Sequence, residues 1–294
     1  MRSVSIIGAG RVGLALALSL PPDNYCVTHL VHRGREMLDD VAGQLPGNVK
    51  IELAEEFTGG EADILIVAVQ DPYIAAAADW AANSFDSVRY AYHTSGALQS
   101  GLLCALENVG ASLGSVHPLV SISEPVSGKE RFNGAYFCVE GEPDAVEIGR
   151  ELVEALGGRP FAIDTRFKTL YHAAAVTACG HLVALLDASF EMLETCGVER
   201  DDAKRILMPL VTSTIANLSR QDTASAMTGT FARADVETFS KHVAAINELC
   251  SEEIMEIYLL LGERALELAA EKGANPERIE TMRSRVAFAR AKLR

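Results

Sequence analysis

The chain has 294 residues, 49% of them hydrophobic and 22% charged, with a formal net charge of −14. That length allows one large or two ordinary domains with ample core. The acidic balance excludes a general nucleic-acid binder, which needs a basic face.

The first 17 residues set the pattern. An apolar run, Val4 to Ile7, enters the stretch Gly8-Ala9-Gly10-Arg11-Val12-Gly13, and an Ala/Leu-rich helix leaves it. Gly8 suits a tight turn, Gly10 lets backbone approach a pyrophosphate, and Gly13 lets helix and strand pack closely. The free amides opening the helix then face phosphate. The helix is expected to stop near Leu20, at Pro21-Pro22.

Tyr25 to Val31 reads as the second strand. Its tip is Val31-His32-Arg33-Gly34-Arg35, with no acid before Glu36. An NAD site usually places Asp or Glu there for the ribose hydroxyls. Arg33 and Arg35 suit a 2′-phosphate instead, and the expected cofactor is NADP(H). Val49 to Leu53 is a short third strand. Ala62 to Val69 is a fourth, apolar enough to be buried on both faces of a parallel sheet. An alanine-rich helix follows from Ile74 to Ala82. Val88 to Tyr92 is the fifth strand and ends in His93-Thr94-Ser95-Gly96-Ala97-Leu98, a loop placed to line a pocket. A helix is expected from Leu102 to Val109.

Strands over 111–116, 135–139 and 159–163 close the series, with a helix from about Asp144 to Leu156 before the last. His117 precedes Pro118, so its backbone is extended and its ring directed by a rigid turn. After Asp164 only helical periodicity remains. The expected organisation is therefore an α/β Rossmann domain, 1–164, followed by an all-α domain, 165–294. Helices are expected over 165–196, closed by Gly197, and over 200–219. A polar loop spans 220–234, with Asp235 able to cap the next helix. A long helix over 244–272 carries an apolar stripe through Ile246, Leu249, Ile254, Ile257, Leu261, Ala265 and Leu268. Gly273 ends it, and Asn275-Pro276-Glu277 opens the last helix.

The six cysteines are scattered, with no Cys-x-x-Cys pair, so no zinc or other metal site is expected and most are expected to be buried. No leader is read before the first strand, and no apolar run is read as long enough to span a bilayer. A cytoplasmic protein with no membrane partner is the expectation.

Reduction of a carbonyl or imine by a bound nicotinamide needs an oriented substrate and a proton donor. Lys168 and His172 stand four apart on one helix face next to the domain boundary. Lys168 is the expected donor, with His172, Ser95 and His117 as further catalytic candidates. Gly8, Gly10, Arg11, Val12, Gly13, His32, Arg33, Arg35, Val69 and Thr94 are the expected cofactor contacts. His93, Gly96, Thr228 and Arg233 are the expected substrate contacts.

Several stretches together resemble a bacterial family with a Rossmann-like N-terminal domain and an uncharacterised C-terminal helical domain. They are 8–13, His93 to Leu98, Gly114 to Leu119, Phe137 to Gly141, Lys168 to Ala175, and Met227-Thr228-Gly229 with Arg233, Asp235 and His242. That family stands beside ketopantoate reductases and pyrroline-5-carboxylate reductases, with a C-terminal domain like that of 6-phosphogluconate dehydrogenase. The resemblance implies NADP-dependent chemistry, a helical dimerisation domain forming a homodimer, and a lysine at position 168 that protonates substrate. It implies a small 2-keto acid such as ketopantoate, of pantothenate biosynthesis, as first substrate. A cyclic imine, or dinucleotide binding without catalysis, are the alternatives. Where the family tends to have asparagine, proline and glycine, this chain has Gly180, Thr230 and Ala234.

Overall fold

The computed structural model describes residues 1–34, 43, 45, 47, 49–122, 124 and 132–293. Arg35 lies outside the described residues. Among those described, the chain forms two compact units, Met1–Thr177 and Ala178–Arg294.

The first unit is built on an eight-stranded sheet. Its strands are β1 (Arg2–Ile7), β2 (Tyr25–His32), β3 (Lys50–Leu53), β4 (Glu61–Val67), β5 (Ser87–His93), β6 (Ser112–Pro118), β7 (Tyr136–Gly141) and β8 (Arg159–Ala162). They lie in the order β3-β2-β1-β4-β5-β6-β7-β8. All pairs are parallel except β6 with β7. Strand alternation divides the core into two layers. Val4, Ile6, Ile64 and Ile66 meet α1 (Arg11–Ser19) and α3 (Pro143–Ala155) on one face. Ile7, Leu65 and Val67 meet α2 (Ile74–Ser84) on the other. The helix expected over 102–109 is instead a 3₁₀ segment, Ser100–Val109, closed by left-handed Gly110. Its Leu103 and Leu106 still pack into the second layer.

A single 3₁₀ turn, Thr165–Phe167, leads into α4 (Lys168–Thr195), whose residues 178–195 belong to the second unit. Residues 165–195 form one helical stretch long and apolar enough to cross a membrane by length and composition, an 18-residue window within it having a mean hydropathy of 1.5. This corrects the reading that no such run exists. His172, Thr177, Gly180 and His181 interrupt the run by eye, and an average over the window absorbs them. The same statistics fit a helix covered by protein.

The second unit continues with α5 (Arg200–Leu218), α6 (Thr223–Ala226), α7 (Gly229–Ala232), α8 (Val236–Leu249), α9 (Glu252–Glu271) and α10 (Pro276–Lys292). The expected polar loop thus holds two short helices. Asp235 caps α8 as expected, accepting from the Thr238 amide at 3.1 Å. The expected 244–272 helix is broken at Cys250, and the Ser251 hydroxyl accepts from the Ile254 amide to start α9 afresh. That break rotates the buried stripe. Met255, Leu259, Gly262, Leu266 and Ala269 face the core of this unit, whereas Leu249 and Leu261 are exposed. Ala234 is fully buried at φ +47, a left-handed conformation that favours glycine.

The cysteine expectation is also corrected. Only Cys138 is buried, while Cys104, Cys179 and Cys196 are exposed, each on or beside a helical segment rather than in a strand.

Candidate active site

The glycine turn forms as the spacing requires. Gly8 has φ +110, and a Cβ there would lie 2.5 Å from the Ala68 carbonyl oxygen. A Cβ on Gly13 would lie 2.0 Å from the Gly8 carbonyl oxygen. A Cβ on Gly10 would meet nothing within 4 Å. Gly8 and Gly13 are therefore demanded by packing, while Gly10 leaves open space beside the unpaired amides of α1's first turn. That space belongs to a cavity of about 530 Å³ running over the carboxyl ends of β1, β2 and β4. Gly8, Gly10, His32, Arg33, Val69, Tyr73 and Trp80 are among its lining residues.

At the tip of β2, His32 is buried and its Nδ1 lies 2.7 Å from the Gly34 carbonyl oxygen, which shapes the turn. Arg33 is exposed, its guanidinium 4.5 Å from the centre of the Tyr73 ring. Among the described residues of the β2 tip, His32, Arg33 and Gly34, one is cationic and none is a carboxylate, a set that fits a 2′-phosphorylated dinucleotide. Arg33→Ala is expected to weaken NADPH binding by about 1.5–3 kcal/mol and leave NADH binding nearly unchanged. Titrating each cofactor against the fluorescence of Trp80, the only tryptophan, checks this; equal losses would show that Arg33 does not read the phosphate. The other expected cofactor contacts sit differently. Arg11 is exposed and reaches the Ile122 carbonyl oxygen at 3.4 Å, Val12 packs against the core, and the Thr94 amide donates to Val67.

Beside this cavity, past the ends of β5 and β6, a second group of side chains assembles. Ser95 closes the loop after β5, its hydroxyl accepting from the amides of Ala97 and Leu98 at 3.2 and 3.1 Å. His93 is fully buried, and its Nδ1 accepts from the Ser95 amide at 3.1 Å. Both side chains hold the turn itself. Gly96 is roofed by two imidazoles: a Cβ there would lie 2.4 Å from His172 and 2.7 Å from His117. The two rings are 5.8 Å apart and nearly perpendicular. His117 Nδ1 lies 2.7 Å from the Tyr171 hydroxyl.

Lys168 is placed otherwise than expected. Its side chain is 0% exposed, with Nζ donating to Glu140 Oε1 at 3.1 Å and to the Ser115 hydroxyl. Glu140, itself 1% exposed, also accepts from the Ser100 amide at 2.9 Å and from the hydroxyls of Ser100 and Thr165 at 3.0 Å. This buried joint fastens β6, β7, the Ser100 turn and the first turn of α4. Sequence reasoning assigned no role to Glu140 or Tyr171. An acid inside the apolar strand Phe137-Cys138-Val139-Glu140 is the signal that could have found the first, since a buried charge needs a partner.

Burial lowers the Lys168 pKa, against the opposing pull of Glu140. Burial, then the Lys168 ammonium, lower His93 to about 4. Burial, Lys168 and the neighbouring histidines lower His117 to about 4 as well. Both rings are therefore neutral imidazoles near pH 7. Thr228 and Arg233 lie in the second unit, both exposed, at either end of α7.

Residues 1–118 match the family described as a Rossmann-like domain, and residues 135–265 match a domain of unknown function, DUF2520. Among curated proteins, none matches it. Solved structures share the fold. Protein TM1727 from Thermotoga maritima is 20% identical, with a TM-score of 0.70 over 92% of this chain and 99% of that one. BF3122 from Bacteroides fragilis, proposed to be an NADP oxidoreductase, is 19% identical, with a TM-score of 0.70 over 90% of this chain and 98% of that one. Plasmodium falciparum pyrroline carboxylate reductase with NADP bound is 12% identical, with a TM-score of 0.55 over 91% of this chain and 98% of that one. The DUF2520 match begins just before β7, so it takes in Glu140, Lys168, Tyr171 and His172.

Proposed function

We propose that this protein is an NADPH-dependent oxidoreductase that reduces a small carbonyl compound, with a 2-keto acid of the ketopantoate kind as the first substrate to test. The observation that carries this reading is one of placement. The cavity over β2, β1 and β4 and the imidazole pair past β5 and β6 occupy consecutive strand ends, the edge where such sheets bind ligands. Gly10 and the amides of α1 would hold the pyrophosphate, and Arg33 the 2′-phosphate. When bound, the cofactor supplies a hydride. The chain's own task is then to steady the negative charge that develops on the substrate oxygen.

A neutral imidazole N–H from His117 is suited to that task, as a hydrogen-bond donor that is not already a cation. Lys168, enclosed with Glu140, takes an electrostatic part: after burial, the larger cause, its ammonium helps to lower the pKa of the nearby imidazoles. A cyclic imine is the second reading, supported by the fold shared with pyrroline carboxylate reductase.

The test monitors NADPH consumption against 2-keto acids, aldehydes and cyclic imines. Turnover of a keto acid, reduced roughly 100-fold in His117→Phe while NADPH still quenches Trp80, is the expected result. Turnover of imines alone would replace the first reading with the second. Quenching without turnover across the panel would leave a dinucleotide-binding module.

A further inference from the structure

His117 sits on β6 directly opposite Cys138 on β7, its partner in the antiparallel register. Tyr171, in the first turn of α4, covers both. Its hydroxyl lies 2.7 Å from His117 Nδ1, and the buried Cys138 stands across the strand register from that ring. Its ring packs edge-on against Phe161, 5.8 Å between centres, and against His117 itself. The phenol is thus clamped between His117 and Phe161.

Two proton arrangements satisfy this pair. In one, the phenol donates to His117 Nδ1. In the other, His117 donates from Nδ1 and the phenol turns its proton elsewhere, the sulfur of Cys138 being the neighbour across the register. An imidazole nitrogen is a strong acceptor and a thiol sulfur a weak one, so the first arrangement makes the better use of the phenol's single proton. It leaves the ring's only hydrogen on Nε2, the nitrogen that overlies Gly96 beside His172.

We propose that Tyr171 is a positioning residue that fixes His117 as the Nε2–H tautomer and holds that N–H over Gly96 beside His172, past the ends of β5 and β6. The charged and titratable groups around His117 agree with a neutral ring. Lys168 and His172 on α4 and His93 on β5 each oppose its protonation, and burial does so most. Tyr171 is held in its protonated form by burial and by Cys138. The inference rests on the reductase reading for its purpose, but the tautomer itself does not depend on any substrate.

Two measurements test it, and the first needs no turnover. Long-range ¹⁵N–¹H spectra of histidine-labelled protein at pH 7 should show His117 protonated at Nε2 with Nδ1 as a hydrogen-bonded acceptor. In Tyr171→Phe the Nδ1 resonance should move to the position of an unbonded acceptor, while Cys138→Ala should leave His117 protonated at Nε2. A hydrogen on His117 Nδ1 in the unaltered protein would overturn the proposal whatever the enzyme does. The second is a double-mutant cycle on whichever substrate the carbonyl panel yields. Tyr171→Phe should lower kcat roughly tenfold with little change in KM, the worth of one hydrogen bond. It should add nothing in a His117→Phe background. Full additivity would show that Tyr171 acts through packing rather than through His117. Retention of the Phe161 contact in Tyr171→Phe, read as an unchanged melting temperature, separates these outcomes from misfolding.

Discussion

Glu140→Gln is expected to destabilise the first unit by about 3–5 kcal/mol, because it strands the Lys168 ammonium in the interior without its counter-charge. The amide keeps the carboxylate's shape, and its oxygen can still accept from the Ser100 amide, while its NH2 group faces the Ser100 and Thr165 hydroxyls, which must turn from donors into acceptors. The cost therefore reads the lost charge together with that rearrangement rather than the packing. Lys168→Met should cost a similar amount by leaving the Glu140 carboxylate unpaired. The pair Glu140→Gln with Lys168→Met should cost clearly less than the two single changes summed, since no buried charge then remains. Denaturant midpoints for the four proteins measure this directly. Single changes within about 1 kcal/mol of the parent would mean that water reaches the pair and that the joint is not what fastens α4 to the sheet. Lys168→Met has a second consequence. Removing the ammonium relieves one of the causes that depress His93 and His117. Their pKa values should rise from about 4 toward the ordinary histidine value, and any acid limb they set in a pH profile should move up with them.

The sheet was legible because each of its signals is local. The glycines at 8, 10 and 13 mark a turn, the unbroken apolar run of β4 marks a strand buried on both faces, and His117-Pro118 marks an extended end. Strand limits read from these patterns agree with the structure to within about two residues. The second unit was less legible for a physical reason. Apolar spacing continues smoothly from α8 into α9, and it hides the cap at Ser251 even though Glu252 and Glu253 come next, as first-turn acids should. One missed cap then shifts the buried face: Ile254 is buried as read, but the stripe runs on through Leu259, Leu266 and Ala269 rather than Leu261. The site shows the opposite limit. His93, His117, Lys168 and His172 stand out as residue types and do gather in one unit. Their partnerships cannot be read from spacing. Glu140 meets Lys168, and Tyr171 meets His117, through the antiparallel β6–β7 pair and the way α4 starts beside it. Those are facts of tertiary placement. They enclose the lysine with Glu140, while the His117 and His172 rings stay partly exposed.

Gly13→Ala and Gly10→Ala are expected to fail in different ways, and the difference tests what the opening turn is for. At position 13 the new methyl would collide with the Gly8 carbonyl, a backbone atom that cannot swing aside without unseating the turn from Ala68. The expected cost is about 2–4 kcal/mol of stability, in the upper range for overpacking, with cofactor binding lost as the turn opens. At position 10 the methyl meets nothing, and φ of −81° suits alanine. The unliganded protein should therefore melt within a degree or two of the parent, allowing for alanine's weakness as a helix cap. NADPH affinity should nevertheless fall at least tenfold, about 1.4 kcal/mol, because the methyl fills the space through which a pyrophosphate would approach the amides of α1. Melting curves with and without NADPH read both terms at once, since a ligand that binds only the folded state raises the midpoint. An undiminished NADPH shift in Gly10→Ala would refute the placement of the pyrophosphate in this turn. An unchanged midpoint in Gly13→Ala would mean that the strand and helix do not pack as closely as their glycines allow.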